Sequence, residues 1–464
     1  MIASVEASRG SPRTVKGFRG IPSVYRAGRG WRQLADRPRS TGTAADPAGP
    51  PESPLPLDSP ARVASPTLMP QNKRSNGFRW LRLALAAGTL TGAAAAYRFA
   101  LKYRERVGLP HRHPVEDSPA NYGLAFETVE IPAGDHSLAG WFVPAEPQAA
   151  PSKRRRAAAK APAEAPAQVA GSAAPSADSS APAQATPAAE PRPAIVVVHG
   201  WESNRGRTFA HVRYLHAAGF HCLVFDARGH GDNPPETLPV NVPEFAEDTA
   251  AAARWLAARP EVSAVGVIGH SMGGAGAIVA ASREPEIRAV VSLSAPADLV
   301  WMTRRTFEMA ELHVPDLIAT PLAWFTAAVL LIPRRHSVEE ASAVVAAGRY
   351  RGPLLLIHGA QDRGVPVEHL GLIELAALES RDAEDAPVES LILPNFGHRW
   401  LYEDAGCRRK IAEFLARSLG GPVAPETAGD RAAACVVERP ADPVYGFGAQ
   451  ATKTPPSDLP IYEN

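Results

Sequence analysis

Three residues far apart in the chain carry the types that acyl transfer needs: Ser271 in "GHSMG", Asp362 in "LLLIHGAQDRGVP" and His398 in "LILPNFGHRW". A serine hydroxyl is a weak nucleophile until a base takes its proton, and an imidazole base needs an acid to fix its tautomer. Asp362 and His398 offer both. Gly269 and Gly273 bracket the serine, a pattern common on its own, but here an apolar run ends at Ile268 and a helical stretch starts near Gly274. A serine on so tight a strand-to-helix turn is strained, and the glycines are needed because β-carbons would meet neighbouring backbone. The turn exposes the Ser271 oxygen at a helix N-terminus, where developing negative charge is favoured.

Residues this distant need a scaffold to bring them together. From about Val115 the pattern is that of a folded domain, with "FETVEIP" alternating as a strand and "HSLAGWFVP" as its hairpin partner. Apolar strands then alternate with helical stretches: "AIVVVHG", "HCLVFDARGHG", "VSAVGVIGHS", "IRAVVSLSAP", "PLLLIHGAQD" and "VESLILPNFGH". Continuous Val, Ile and Leu strands separated by helices predict an α/β fold with a mostly parallel sheet flanked by helices. Chemistry in such sheets collects at the carboxyl ends of the strands, which is where Ser271, Asp362 and His398 fall. A low-complexity stretch at 146–193, rich in Ala and Pro with a "KRRR" cluster at 153–156, reads as an insertion outside the packed domain.

The chain resembles the α/β-hydrolase superfamily over 115–419, the insertion aside, on "HGW", "DARGHGDN", "GHSMGG" and the pair "GAQD" and "GH" in that order. The resemblance implies that Ser271 is the nucleophile, His398 the general base and then acid, and Asp362 the orienting acid. It also implies an oxyanion hole from the backbone N–H groups of Trp201 and Met272. Asp298 is an alternative acid, since some members place theirs after the preceding strand. His199 and His270 are expected to position loops, as are His230 and His358. Asp226 and Arg228 are expected to brace the loops as a charge pair, with Asn233 where the family often has Ser.

The segment 298–349 is where this superfamily inserts a helical lid. It contains "TPLAWFTAAVLLIP", 14 uncharged residues, too short to span a bilayer and suited either to lining an apolar acyl pocket or to packing on the domain. Trp301, Met302, Phe307, Met309, Trp324 and Phe325 are its candidate walls. The expected activity is that of a carboxylesterase or lipase-like serine hydrolase acting on a small-molecule, hydrophobic acyl ester. Amidase, aminopeptidase-like or thioesterase chemistry, or a non-catalytic membrane-tethered binding protein, are the alternatives. No phosphate loop, metal-ligand spacing or dinucleotide fingerprint is present, so no cofactor and no metal are expected, and no nucleic acid or obligate protein partner.

The chain has 464 residues with a formal net charge of +1. Residues 1–68 read as a disordered basic, Pro-rich region, and 420–464 as a disordered tail. Over 1–82 there are 14 Lys or Arg against 5 Asp or Glu, read as a solvated tail beside a membrane in the absence of a nucleic-acid-binding module. The segment 69–107 carries an uncharged stretch of 15 residues, Leu83 to Tyr97, and Met69 is a second candidate start. That stretch is short for a span. It fits a single N-terminal membrane anchor over 79–101, on an undetermined side, or a cleaved signal giving a secreted or periplasmic enzyme, or a docked amphipathic helix. Cys222, Cys407 and Cys435 form no paired spacing, and Cys222 reads as a buried free thiol.

Overall fold

The computed structural model describes residues 75–146 and 190–437. The expectations for 1–68, for most of the 146–193 insertion and for 438–464 fall outside those residues. The chain runs α1 (Ser75–Val107), β1 (Glu127–Ala133), β2 (His136–Val143), β3 (Arg192–Val198), α2 (Phe209–Ala218), β4 (His221–Phe225), α3 (Val242–Ala257), β5 (Val262–His270) and α4 (Met272–Ala281). It continues through β6 (Ile287–Leu293), α5 (Leu299–Met309), α6 (Asp316–Leu331), α7 (Ala343–Ala347), β7 (Leu354–Gly359), α8 (Glu368–Glu379), β8 (Val388–Leu393), α9 (Ala405–Leu419) and α10 (Pro425–Ala434).

The eight strands form one sheet in the order β1-β2-β4-β3-β5-β6-β7-β8. The β1–β2 hairpin is antiparallel and joins β4 antiparallel, while the remaining pairs are parallel. Every residue of β3, β4 and β7 is buried, as the unbroken apolar runs require, whereas the edge strand β8 is only partly covered. Alternate strand residues such as Ile195, Val197, Cys222 and Val224 share a core with Tyr214, Phe414 and Leu415 of α2 and α9. Cys222 and Cys407 are buried free thiols, both pushed up by burial, Cys407 to about 12 and Cys222 further still.

The tail expected from 420 onward begins instead as α10. Pro425 starts the helix, and Ala428 and Ala432 are fully buried in the core shared with α2 and α9. The buried Arg408 guanidinium donates to the carbonyls of Ala432 and Ala433 at 3.0 and 2.8 Å, and to those of Tyr402 and Glu403.

The N-terminal segment also differs from a free-standing anchor. α1 is a 33-residue helix whose last turns pack on α5 and α6. Ala96, Phe99, Ala100, Tyr103 and Val107 form an inward stripe, while Trp80, Leu83, Leu85 and Leu90 are exposed. Among the described residues the one helical stretch long and apolar enough to cross a membrane is Asp316–Arg334, 19 residues, longer than the 14-residue run suggested; part of it is buried inside the fold.

The two ends of the insertion meet at the amino edge of the sheet. Val143, at the end of β2, lies beside Cys222 at the start of β4. The Arg192 guanidinium, at the start of β3, donates to the Glu146 carbonyl at 2.7 Å.

Candidate active site

Ser271 closes β5 and caps α4 with φ +55° and ψ −121°, a conformation an L-residue holds only under constraint. Its amide donates to the Leu293 carbonyl at the end of β6, 2.8 Å away, which pins the turn to the neighbouring strand. A β-carbon at Gly273 would strike the carbonyl of His199, so the turn and the loop after β3 approach closely only because Gly273 has none. On the other side, a β-carbon at Gly200 would stand 3.3 Å from that of Ser271. Met272 is the first residue of α4, so its amide has no intrahelical partner, and Trp201 follows Gly200 on the facing loop. These are the two amides assigned to the oxyanion hole.

Asp362 and His398 come from the loops after β7 and β8. The His398 Nδ1 stands 2.6 Å from Asp362 Oδ2. A carboxylate only accepts, so Nδ1 carries the proton and Nε2 is left as the basic nitrogen. The other Asp362 oxygen accepts from the amides of Gly364 and Val365 at 3.0 and 2.8 Å. Burial would raise the Asp362 pKa, but the charge of His398 and hydrogen bonds from His358 and His398 hold it well below the usual carboxylate range. His358 Nε2 lies 2.8 Å from the Val365 carbonyl and 3.2 Å from Asp362, so this histidine braces the acid itself as well as its loop. Asp298 is not near this pair in role: its carboxylate caps α5, accepting from the Val300 and Trp301 amides.

The other histidines are structural. His270 donates from Nε2 to the His398 carbonyl at 2.7 Å, and burial together with the neighbouring His398 lowers it to about 3. His199 donates from Nδ1 to the Gly200 carbonyl and accepts the Ala227 amide, tying the loop after β3 to the turn after β4. Burial lowers it to about 4, and lowers His230 beside it to about 3. Asp226 and Arg228 do not pair with each other. Asp226 pairs with Arg205, and Arg228 with the buried Asp248 at 2.6 Å, because the turn points their side chains to different elements. Asn233 stitches that turn to β2, donating to the Asp226 and Ala227 carbonyls and accepting the Ala139 amide.

Two cavities meet at Ser271 and Trp201. The larger, of about 130 Å³, has a mixed lining in which Glu202, Arg207, His211 and His398 stand beside Ile268, Leu293 and Trp400. The other is apolar, of about 50 Å³, and includes Tyr103, Val107, Leu299, Met302 and Val365. Of the six lid residues proposed as walls, Met302 alone lines a cavity reaching Ser271. Phe307 is buried against Phe99 and Tyr103, Trp301 packs on His369, and Trp324 is exposed. The α1 residues and Glu202 were not anticipated from sequence. A helical stripe at 96, 99, 100, 103 and 107 was the available signal for the former, and adjacency to Trp201 for the latter. Glu202 has φ +51°, and burial raises its carboxyl pKa. Among the described residues no cluster of side chains fits a metal ion.

A family model described as serine aminopeptidase, S33, matches residues 189–330, which include Trp201, Ser271 and Met272. The chain is 26% identical over 234 residues to Protein ABHD12B of Homo sapiens, covering 48% of this chain and 61% of that protein. It is 28% identical to a monoacylglycerol lipase of Mycolicibacterium smegmatis, covering 39% of this chain and 74% of the lipase. An esterase of Pyrococcus furiosus superposes with a TM-score of 0.47 at 21% identity, covering 68% of this chain and 98% of the esterase. The chain spans about three fifths of the length of the first curated relatives it matches. The family match runs through the serine turn and agrees with the strand order observed here: the chain has the α/β-hydrolase fold, and over residues 189–330 it resembles the serine hydrolases of that fold.

Proposed function

We propose that the protein cleaves carboxylic esters through an acyl-enzyme on Ser271. The observation that carries this is the 2.6 Å contact of His398 Nδ1 with Asp362, made beside a strained serine lining the same cavity. In the first half-reaction His398 Nε2 takes the Ser271 proton as Oγ adds to the ester carbonyl. The negative oxygen is held by the Met272 and Trp201 amides, and His398 returns the proton to the departing alcohol. Water then repeats the sequence, releasing the acid and the free serine. Removing one oxyanion donor typically costs about 3 kcal/mol of transition-state stabilisation. The smaller, apolar cavity suits the acyl chain, and the larger one, with Glu202 and Arg207 in its mixed lining, the alcohol.

The test is hydrolysis of p-nitrophenyl esters by the full chain and by Ser271→Ala. Turnover in the native chain alone supports the reading, and equal turnover in both removes the nucleophile. An amide or peptide bond is the second reading, favoured by Glu202 in the larger cavity, where a carboxylate would meet a substrate ammonium. Aminoacyl anilides turned over faster than esters would select it.

The exposed apolar turns of α1, with Arg79 and Arg82 among them, support seating of this helix in a lipid surface. Co-sedimentation of the full chain with anionic vesicles, abolished by Trp80→Asp with Leu83→Asp, checks that placement.

A further inference from the structure

We infer that α1 is a wall of the acyl pocket, and that Tyr103 and Val107 on its last turns set the length of acyl chain that Ser271 accepts. This rests on the esterase reading above. The apolar cavity joins Ser271 to Tyr103 and Val107 of α1, Met302 and Thr306 of α5, and Leu330 of α6. An element assigned by its sequence to anchoring therefore borders the same space as the nucleophile.

The wall is held in place. The rings of Phe99 and Tyr103 meet Phe307 of α5 edge-on, with centroids 5.4 and 6.1 Å apart. The Tyr103 hydroxyl donates to Thr306 Oγ1 at 3.4 Å, and Ala100 between them is fully buried. At the end of the helix the Gly108 amide donates to the Arg104 carbonyl, and the Gly108 carbonyl accepts from the Val240 amide at 2.8 Å, just before α3. The last turns of α1 are thus fastened on two sides, to α5 and to the chain leading into α3.

At about 50 Å³ this is the smaller of the two cavities at Ser271. An acyl chain lengthened into it from Ser271 meets the Tyr103 ring and the Val107 side chain, and a smaller residue at either place gives it more room. One methylene too many or too few in a hydrophobic pocket changes kcat/KM by roughly ten- to two-hundredfold.

The test compares kcat/KM for p-nitrophenyl octanoate and acetate on the full chain in detergent. Tyr103→Ala is expected to raise the octanoate-to-acetate ratio about tenfold or more, and Val107→Trp to lower it by a similar factor. Lys102→Ala, exposed on the same turn, keeps the native ratio. Labelling of Ser271 by a fluorophosphonate certifies each variant as folded. If Val107→Trp does not label, Val107→Leu replaces it, with a smaller shift in the same direction. Native ratios in both α1 variants overturn the inference while leaving the esterase reading intact. Absence of Ser271-dependent hydrolysis of every ester by the native chain instead overturns the esterase reading, and the inference with it.

Discussion

At the scale of single residues, Asp362 is the group whose environment matters most. Its carboxyl is buried, yet His398, His358 and two backbone amides hold it ionised. A depressed carboxyl pKa contributes stability above its unfolded value of about 3.9, lost as pH falls through the folded value. The acid limb of the activity profile will therefore not come from Asp362. Asp362→Asn should lower kcat by about 10⁴-fold, because the amide favours the wrong imidazole tautomer. Asp298→Asn should keep kcat within a few-fold, since Asn also caps helices. Reversed results for the two variants would reassign the acid. Ser271, Asp362 and His398 were legible because each follows an apolar strand. The part played by His358 was not, because a histidine inside a strand gives no sign that its ring reaches an acid four residues on.

At the scale of elements, the strands were readable from their Val, Ile and Leu runs, and the hairpin from its alternation. α10 was not, because its buried face is Ala428, Gly429 and Ala432, and small residues carry little hydrophobic signal. Ending the chain at 420 would strip Arg408 of the Ala432 and Ala433 carbonyls and expose part of the α2–α9 core. Hydrogen bonds to a charged group contribute about 1.5–3 kcal/mol each, and the uncovered core adds to their loss, so thermal denaturation should show a large drop in Tm. An unchanged Tm would mean that α10 adds nothing. The hairpin is tied to α3 by His136, which lies 3.4 Å from Asp248 and 3.1 Å from Asp135. The hydrogen bond to Asp248 raises its pKa, outweighing partial burial. A raised histidine pKa contributes stability that is complete below about 6.5 and lost as pH rises through the folded value. His136→Gln should therefore lower Tm at pH 6 and matter less at pH 9; a difference growing toward alkaline pH would contradict this pairing.

At the scale of the whole molecule, five histidines among the described residues are kept neutral: His199 and His211 near 4, His230, His270 and His369 near 3, each mainly by burial. As pH falls below about 6.5 the unfolded chain takes up protons that the fold refuses, up to about 1.4 kcal/mol per pH unit per group. Tm should fall steeply between pH 6.5 and 4.5, and a flat profile would show that these rings protonate in place.

The amino edge of the sheet offers a different handle. β2 ends and β3 begins there on either side of β4, bridged by Arg192 and Glu146, away from the strand ends that carry Ser271, Asp362 and His398. The register of β2 on β4 and the packing of α1 on α6 link the two sides of this junction without a covalent bond. Polypeptides 1–146 and 190–464, made separately, should reassemble by complementation. The first would bring Tyr103 and Val107, the second the reacting residues, making substrate preference a cartridge exchangeable on one common catalytic body.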